Sequence, residues 1–296
     1  MRLIIRQSSM KNQDPTGTNL LLGILGNPVS HSLSPNMQQS ALDALGIPMR
    51  YLHLPVEPDQ LSGALDGIRS LPFRGVNVTI PYKQAVMPYL DQLDATAQEA
   101  NAVNVILNDH GCLIGYNTDS AGFMSGFSHG SDALRRGRVL LVGAGGAACA
   151  IVAGLMRRVS AITVVARDIS KAETLLDTVG AAQHCQTATL SWPVTPAMIA
   201  DHGIIVNATP IGMQGFSVDR WLPEHATLTA LHTCYDTVYI PQDTPFLVEA
   251  KRQGAHCIYG KSMLVGQGEV AFQHFTGQCP PPGLMQTVLD ESLSLL

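Results

Sequence analysis

A glycine-rich turn between a predicted strand and a predicted helix constrains the fold of this chain more than any other feature. Residues 139–142 form a continuous apolar run, and the following turn matches G-x-G-x-x-G/A through Gly143, Gly145 and Ala148. Glycines at such positions permit a tight turn and let a pyrophosphate approach the N-terminus of the next helix. A second apolar strand is predicted at 161–167, at the distance expected for a βαβ unit. The sequence therefore predicts a dinucleotide-binding Rossmann domain.

Three charged residues at the end of that second strand bear on the choice of nucleotide. Arg167 and Lys171 are suited to a ribose 2′-phosphate, which favours NADP. Asp168 is suited to a free 2′-hydroxyl, which favours NAD. Because two cationic side chains favour NADP and one carboxylate favours NAD, we expect NADP as the cofactor and keep NAD as the alternative.

Strand and helix patterns continue to alternate beyond this unit. Strands are predicted at 203–208, 231–235 and 256–259, and a helix is predicted at 245–254. Such alternation is typical of a parallel sheet that is covered by helices.

Two further helices, predicted near 262–274 and 287–295, are expected to pack back on the N-terminal part of the chain. The predicted fold class is therefore α/β with two domains, an N-terminal α/β substrate domain and a Rossmann dinucleotide-binding domain. The expected divisions are a disordered tail at 1–19, a substrate domain at 20–119 with 261–296, and a nucleotide domain at 120–260.

A helix that follows a serine-containing turn predicts an anion site near the start of the chain. Ser34 is predicted to be the N-cap and Pro35 the first helical residue, because proline fits where no backbone N–H is needed. A helix N-terminus attracts carboxylates and phosphates, and Ser32 and Ser34 offer two hydroxyl donors. Taken alone, these residues favour an ordinary capped helix over a binding site, because helix caps are far commoner than anion sites.

A short predicted strand brings polar side chains together at its end. Apolar and polar residues alternate over 76–80, so Asn77 and Thr79 are predicted to share one face and the apolar residues, Ile80 included, the other. A proline ends the strand, and Lys83 lies just beyond it. Convergence of these polar groups predicts a site, whereas a solvated strand edge is the alternative.

A hairpin and a second helix start are predicted farther along. Residues 101–107 and 112–116 flank an Asn-Asp-His-Gly turn, which is typical of two strands joined in a hairpin. Thr118 or Asp119 is then predicted to cap a helix that begins near Ser120.

Composition and charge exclude several classes of function. The 296 residues carry a formal net charge of −5, which offers no attraction to nucleic acid or to an anionic membrane surface. No apolar run approaches the roughly 20 residues of a membrane-spanning helix. The six scattered cysteines show no metal-ligand spacing, so we expect no metal, and reduced thiols in a cytoplasmic protein. The expected partner is a small molecule, bound by a monomer or a homodimer.

Several short motifs follow one another along nearly all of the chain, from about Leu22 to Gly277. They are Gly-Asn-Pro-Val-Ser-His-Ser-Leu-Ser-Pro at 26–35, Asn-Val-Thr-Ile-Pro-Tyr-Lys at 77–83, Ala-Val-Asn at 102–104, Gly-Tyr-Asn-Thr-Asp at 115–119, the glycine-rich turn, Asn-Ala-Thr-Pro-Ile-Gly-Met at 207–213, Asp-Thr-Val-Tyr-Ile-Pro at 236–241 and Gly-Lys-Ser-Met-Leu-Val-Gly-Gln-Gly at 260–268. This ordered set resembles the shikimate dehydrogenases. The resemblance implies an NADP-dependent oxidoreductase that reversibly reduces 3-dehydroshikimate to shikimate, in the chorismate pathway of aromatic amino acid biosynthesis.

The resemblance also implies roles for residues at matching positions. Lys83 and Asp119 are the implied catalytic pair, and Ser32 and Ser34 are implied to hold the substrate carboxylate. The residues implied to contact the ring hydroxyls or to lie close to them are Asn77, Thr79, Lys83, Asn104, Asp119, Tyr239 and Gln267. Those implied to bind the cofactor are Gly145, Gly146 and Ala147 at the pyrophosphate, Arg167 at the 2′-phosphate, and Thr209, Met213 and Gly260 at the nicotinamide end.

Some positions differ from the usual family pattern. Asn101 stands where the family often has Gly, and Val105 stands where it often has Thr. The strand-end motif, Ala-Arg-Asp at 166–168, lacks the usual Asn before its arginine. An NAD-dependent quinate/shikimate dehydrogenase is therefore kept as an alternative. A second alternative is a regulator that binds metabolite and nucleotide without catalysis. The presence of both members of the implied catalytic pair argues against it.

Overall fold

Two six-stranded sheets carry the fold of the computed structural model, which describes residues 20–127, 134, 137–214 and 221–295. The tail expected at 1–19 lies outside the described residues. The strands of the first sheet are β1 (Leu20–Gly26), β2 (Met49–Pro55), β3 (Phe73–Val78), β4 (Gln92–Leu93), β5 (Val105–Asp109) and β6 (Cys112–Tyr116). Those of the second sheet are β7 (Arg138–Val142), β8 (Ala161–Ala166), β9 (Gln186–Ser191), β10 (Ile204–Asn207), β11 (Thr233–Asp236) and β12 (His256–Ile258).

Helices connect and cover these strands. They are α1 (Ser34–Ala44), α2 (Leu61–Ser70), α3 (Ala95–Ala100), α4 (Asp119–Ser125), α5 (Gly146–Leu155), α6 (Ile169–Val179), α7 (Pro196–Ala200), α8 (Pro245–Arg252), α9 (Gly260–Thr276) and α10 (Leu284–Ser294).

The first sheet is mixed, with the strand order β2-β1-β3-β5-β6-β4. Strand β1 lies parallel to β2 and β3, whereas β5 is antiparallel to β3 and β6. The predicted hairpin is confirmed, because Asp109 pairs with Cys112 across a turn in which His110 and Gly111 have positive φ. Side chains alternate between two buried faces, so each face of this sheet carries its own apolar core.

The second sheet is entirely parallel, in the order β12-β11-β10-β7-β8-β9. This is the strand order of a Rossmann fold, with β7 as its first strand. Leu141 of β7 packs in one core cluster, and Leu140 and Val142 pack in the other, so both faces are buried. Helices on both faces explain why the strands read as continuous apolar runs instead of alternating ones.

The two C-terminal helices close the core on one face of the first sheet. Phe272 and Phe275 of α9 and Leu289 of α10 pack in one cluster with Leu22 of β1 and Met37 of α1. The end of the chain therefore contributes to the same core as its first strand.

Helices α4 and α9 approach each other closely where the chain passes between the two sheets. A Cβ atom on Gly122 would lie 2.6 Å from the main-chain nitrogen of Gln267 and 2.6 Å from the carbonyl oxygen of Met263. Only glycine permits such an approach. This close packing places the start of α4, where Asp119 lies, beside the middle of α9, where Gln267 lies.

The predicted cap of α1 is wrong by one residue. Leu33 is the N-cap, and its backbone is already near-helical at φ −87° and ψ 0°, so Ser34 belongs to the first turn and its side chain caps nothing. Ser32 Oγ accepts the N–H of Ser34 instead, at 3.3 Å.

The predicted cap of α4 is confirmed in position but not in its side-chain bond. Thr118 holds the N-cap position, but its side chain does not cap the helix. Asn117 takes that role, because its Oδ1 accepts the N–H of Asp119 at 3.0 Å and that of Ser120 at 3.4 Å.

The strand predicted through Ile80 ends earlier. Strand β3 stops at Val78, and the chain turns so that the N–H of Tyr82 donates to the carbonyl of Thr79 at 2.9 Å. Ile80 is 67% exposed as a result, and it does not share the buried face.

Candidate active site

An ion pair between Lys83 and Asp119 lies at the centre of the candidate site. Lys83 Nζ is 2.5 Å from Asp119 Oδ2, and the two side chains are 16% and 5% exposed. The carboxylate holds the ammonium in one position, and the ammonium compensates the buried negative charge. The main chain of Lys83 is fixed as well, because its carbonyl accepts the N–H of Val103 at 2.7 Å.

Asn104 joins this ion pair to the neighbouring elements. Its Nδ2 donates to Asp119 Oδ1 and to Thr118 Oγ1, both at 2.9 Å, and its Oδ1 accepts the N–H of Thr118 at 2.7 Å. Gln267 Oε1 of α9 lies 3.5 Å from the same Nδ2. Each oxygen of Asp119 is thus engaged, one by Lys83 and one by Asn104, which fixes the plane of the carboxylate.

Asn77 lies at the same end of the first sheet and is 5% exposed. Its Nδ2 donates to the carbonyl of Asn104 at 3.2 Å, and its Oδ1 accepts the hydroxyl of Tyr51 at 2.7 Å. Thr79 follows the end of β3, and its N–H donates to the carbonyl of Leu25 at 2.9 Å. Tyr51 lies outside the sequence motifs. No functional role was predicted for it, because a tyrosine in a strand is expected only to fill the core.

Ser32 and Ser34 lie next to each other at the start of α1. Ser34 is buried and Ser32 is partly buried. His53 Nε2 lies 3.0 Å from the carbonyl oxygen of Ser32, which ties this turn to β2. The described contacts bring the two serines together but do not link them to Lys83.

The glycine-rich turn fits a dinucleotide pyrophosphate. Gly143 has a φ of 115°, and a Cβ atom there would lie 2.9 Å from the carbonyl oxygen of Ala208 and 2.9 Å from Thr209 Cγ2. A Cβ atom on Gly145 would meet nothing within 4 Å, so open space adjoins the turn. No side chain caps the N-terminus of α5, and its first turn, which includes Ala147, carries no acidic residue. Free N–H groups beside open space are what a phosphate requires.

The same turn lies beside the aliphatic part of the Lys83 side chain. A Cβ atom on Gly146 would lie 3.5 Å from Lys83 Cβ and 3.7 Å from Lys83 Cδ. The structure therefore brings together the expected pyrophosphate site of one sheet and the expected catalytic lysine of the other.

The residues expected at the ribose follow β8. Arg167 and Lys171 are exposed. Asp168 is the N-cap of α6, and its Oδ1 accepts both the N–H of Ser170 at 3.1 Å and the hydroxyl of Ser170 at 2.6 Å. The hydrogen bond from Ser170 lowers the pKa of Asp168. This carboxylate thus already has a structural role at the helix start.

Asn207, at the end of β10, holds the loop expected at the nicotinamide. Its Oδ1 accepts the hydroxyl of Thr209 at 2.7 Å, and its Nδ2 donates to the carbonyl of Ile211 at 3.0 Å and to Asp236 Oδ1 at 2.9 Å. Met213 closes this loop, because its N–H donates to the carbonyl of Pro210 at 3.0 Å.

Asp236, at the end of β11, is fully buried beside Asn207. Its Oδ1 also accepts the N–H of Val238 at 3.0 Å, and its Oδ2 accepts the hydroxyl of Thr244 at 2.6 Å. Burial raises the pKa of Asp236 to about 6. Asn207 and Asp236 occur in the sequence motifs, but their pairing depends on the adjacency of two strands that are distant in the chain, so sequence reasoning assigned them no role.

Gly260 packs against the main chain of residues 237 and 238, which directly precede Tyr239. A Cβ atom on Gly260 would lie 2.5 Å from the carbonyl oxygen of Val238, so no side chain fits where α9 begins. Burial raises the pKa of Tyr239, which keeps its hydroxyl protonated and able to donate.

Among the described residues, no group of three or more His, Cys, Asp or Glu side chains is placed to hold a metal ion. In the same part of the chain, no helix combines the length and the apolar character needed to cross a membrane.

Comparisons with known proteins agree on one family. A model of the shikimate dehydrogenase substrate binding domain matches residues 24–106, and a model of shikimate / quinate 5-dehydrogenase matches residues 128–212. The shikimate dehydrogenase (NADP(+)) of Geobacter metallireducens is 39% identical over 283 residues, which cover 92% of this chain and 96% of that protein.

Solved structures extend the likeness to the fold. Shikimate 5-dehydrogenase of Thermus thermophilus, in complex with NADP(H) and shikimate, is 33% identical with a TM-score of 0.78, covering 93% of this chain and all of that one. Quinate dehydrogenase of Corynebacterium glutamicum, in complex with NAD, is 31% identical with a TM-score of 0.84, covering 92% and 99%. With two α/β domains and relatives matched over nearly their whole length, the chain belongs to the shikimate dehydrogenase family.

Proposed function

We propose that this chain is an NADP-dependent shikimate dehydrogenase that reversibly reduces the C3 carbonyl of 3-dehydroshikimate to shikimate, a step of chorismate and aromatic amino acid biosynthesis. The observation that carries the proposal is the position of the Lys83–Asp119 ion pair against Gly146. Reduction of a ketone by a dinucleotide needs a proton donor next to the nucleotide site, and this contact supplies one.

NADPH, when bound, supplies the hydride for the carbonyl carbon. Gly143, Gly145, Gly146 and Ala147 would hold its pyrophosphate, because the N-terminus of α5 is uncapped and open. The other residues that would hold the cofactor are Arg167 and Lys171 at the 2′-phosphate, and Thr209, Met213 and Gly260 at the nicotinamide end.

The substrate is proposed to lie between Lys83 and the start of α1. Ser32 and Ser34 would hold its carboxylate, which a chain of net charge −5 must attract through local donors. The residues proposed to bind the ring hydroxyls are Asn77, Thr79, Asn104, Asp119, Tyr239 and Gln267. Asn104 links three of the others. Its side-chain amide donates to Asp119 and Gln267, and its main-chain carbonyl accepts from Asn77.

Lys83 is proposed to place its ammonium on the carbonyl oxygen of the substrate. The positive charge stabilises the alkoxide as it develops, and an Nζ–H is the proton that the alkoxide takes up. Asp119 orients the ammonium, and Asn104 holds the other oxygen of Asp119. In the reverse direction the neutral amine accepts the hydroxyl proton of shikimate.

The preference for NADP over NAD is supported by the residues after β8. Asp168, the residue that would favour NAD, has one oxygen engaged twice by Ser170 as a helix cap. Arg167 and Lys171 are both exposed and therefore accessible to a 2′-phosphate.

Residues 20–119 with 261–296 are proposed as the substrate domain and 120–260 as the nucleotide domain, because α9 and α10 share a core with β1. A cytoplasmic location is proposed because all six cysteines are free thiols in the structure, as is usual for proteins of that compartment. The monomer and the homodimer are the two expected assemblies, and sedimentation equilibrium distinguishes them.

The proposal is tested by following reduced nicotinamide absorbance with shikimate or quinate as substrate and NADP or NAD as cofactor. We expect turnover with shikimate and NADP to exceed the other three combinations. A preference for quinate with NAD would favour the alternative dehydrogenase, and absence of turnover with all four would overturn the enzymatic function.

A further inference from the structure

Tyr51 reaches the candidate site from the edge of the first sheet. Its side chain is buried, whereas its neighbours Arg50 and Leu52 on β2 are exposed. In the sheet register Tyr51 pairs with Leu22 of β1, and Asn77 of β3 pairs with a residue two positions farther along β1. The side chain of Tyr51 therefore crosses over β1, and its hydroxyl reaches Asn77 on β3. Few side chains are long enough to do this.

The hydroxyl of Tyr51 is the polar end of an otherwise apolar packing unit. The ring packs in the core cluster that contains Leu22, Ile24 and Phe272. A buried hydroxyl without a partner is unfavourable, and this one donates to Asn77 Oδ1 at 2.7 Å. Phenylalanine would fill the same space in the core. What the hydroxyl adds in the described structure is its hydrogen bond to Asn77.

Asn77 is held at both ends of its amide. Oδ1 accepts from Tyr51, and Nδ2 donates to the carbonyl of Asn104 at 3.2 Å. A half-turn of the amide would place Oδ1 against that carbonyl oxygen, which is repulsive, so one orientation is fixed. One N–H of Nδ2 then has no partner in the described contacts and is the donor that Asn77 can offer to a ligand.

We propose that Tyr51 is a positioning residue for the substrate, holding the amide of Asn77 so that its remaining N–H binds a hydroxyl of the cyclic hydroxy acid. The inference rests on the function proposed above. It adds a residue from an edge strand, outside every motif, to the set that determines substrate affinity. Burial raises the pKa of Tyr51 well above its ordinary value, so the hydroxyl remains a donor throughout the working pH range.

The test compares two tyrosines that each lose one buried hydroxyl. Tyr51→Phe removes the bond to Asn77, whereas Tyr82→Phe removes a bond from Tyr82 Oη to the carbonyl of Val56, 2.5 Å long and within the same sheet's core. We expect Tyr51→Phe to raise KM for shikimate about three- to tenfold with KM for NADP unchanged, as loss of one neutral hydrogen bond implies. Tyr82→Phe, with a comparable change in Tm, should leave KM for shikimate unchanged.

A double-mutant cycle shows whether Tyr51 acts through Asn77. Asn77→Ala should raise KM for shikimate, and adding Tyr51→Phe to it should raise KM no further. Additive effects in the double variant would overturn the proposal, as would equal KM values for Tyr51→Phe and Tyr82→Phe.

Calorimetric titration with shikimate separates this inference from the proposed function. If the wild-type protein binds shikimate but does not turn it over, the proposed function fails, and the Kd values of the same variants still test Tyr51. If the wild-type protein does not bind shikimate at all, both fail.

Discussion

Lys83 lies beside Gly146, where a methyl group on the glycine would be in van der Waals contact with it, 3.5 Å from Lys83 Cβ. The lysine follows the third strand of the first sheet, and the glycine opens the first helix after the glycine-rich turn of the second. The two sheets therefore meet at residues for which the family resemblance implies catalysis and cofactor binding.

Replacing Lys83 with Ala should lower kcat by about a hundredfold to ten-thousandfold while the protein stays folded. The substitution removes the proton donor and the charge beside the carbonyl oxygen, and it leaves Asp119 held by Asn104. Steady-state kinetics with shikimate and NADP, together with a thermal unfolding curve, checks both parts. A variant with nearly normal kcat would remove Lys83 from the mechanism.

Alanine at Gly145 and alanine at Gly143 should have different effects. Gly145 has an extended backbone at φ −95° and ψ −174°, and its Cβ atom would meet nothing, so Gly145→Ala should raise KM for NADP with little loss of Tm. Gly143→Ala forces a side chain on a φ of 115° and against Ala208, a strain of roughly 1–3 kcal/mol.

Thermal unfolding and KM for both substrates, measured on the two glycine variants, check this difference. KM for shikimate should be the same in Gly145→Ala as in the wild type. Equal losses of Tm in the two variants would contradict the assignment of open space beside Gly145.

Arg167→Ala should lower the ratio of kcat/KM for NADP over NAD, because it removes a cation available to the 2′-phosphate. Asp168→Ala is the matched neighbour. It should lower Tm through loss of the bonds to Ser170 and leave the cofactor ratio unchanged. A changed ratio in Asp168→Ala would mean that this carboxylate faces the ribose in addition to capping α6.

Asp236→Asn should alter how stability depends on pH. Burial raises the pKa of Asp236 from 3.8 to about 6 in the folded protein, so the folded state binds this proton more tightly than the unfolded chain does. The resulting stabilisation is complete below about pH 4 and is lost as the pH rises through about 6, with an upper size of about 3 kcal/mol. Asparagine does not titrate, so this component should vanish.

Denaturant unfolding of the wild type and of Asp236→Asn from about pH 4 to 7 measures this effect. Relative to the wild type, the variant should become more stable as the pH rises. Parallel stability curves would show that the carboxyl group titrates alike in the folded and unfolded states.

The sequence was most informative where local chemistry alone determines structure. The glycine-rich turn is an example: Gly143 has the positive φ that glycine permits, and the pattern that predicts the turn lies within one short stretch of chain. The motifs at Lys83, Asn104 and Asp119 could be placed on strand and helix ends, although their meeting was implied only by a family resemblance. The structure brings these three together through hydrogen bonds that cross between elements.

Prediction failed where neighbouring elements decide the outcome. Ser34 follows a residue whose backbone is already near-helical, so the cap moved to Leu33, which has no capping side chain. Ile80 alternates like a strand residue, but the turn at Thr79 leaves it in solvent. Tyr51 carries no local signal, because its role depends on a strand pairing that places Asn77 within reach.

The packing of the C-terminal helices has a consequence for how this protein is made on the ribosome. Leu22 and Met37 are among the first described core residues to emerge, and their partners Phe272, Phe275 and Leu289 are among the last. The strands of the second sheet form one continuous segment of the chain and can assemble while synthesis continues. The sheet whose synthesis begins first is therefore the one whose core closes last, and one of its apolar faces stays without its covering helices until the end of the chain has emerged.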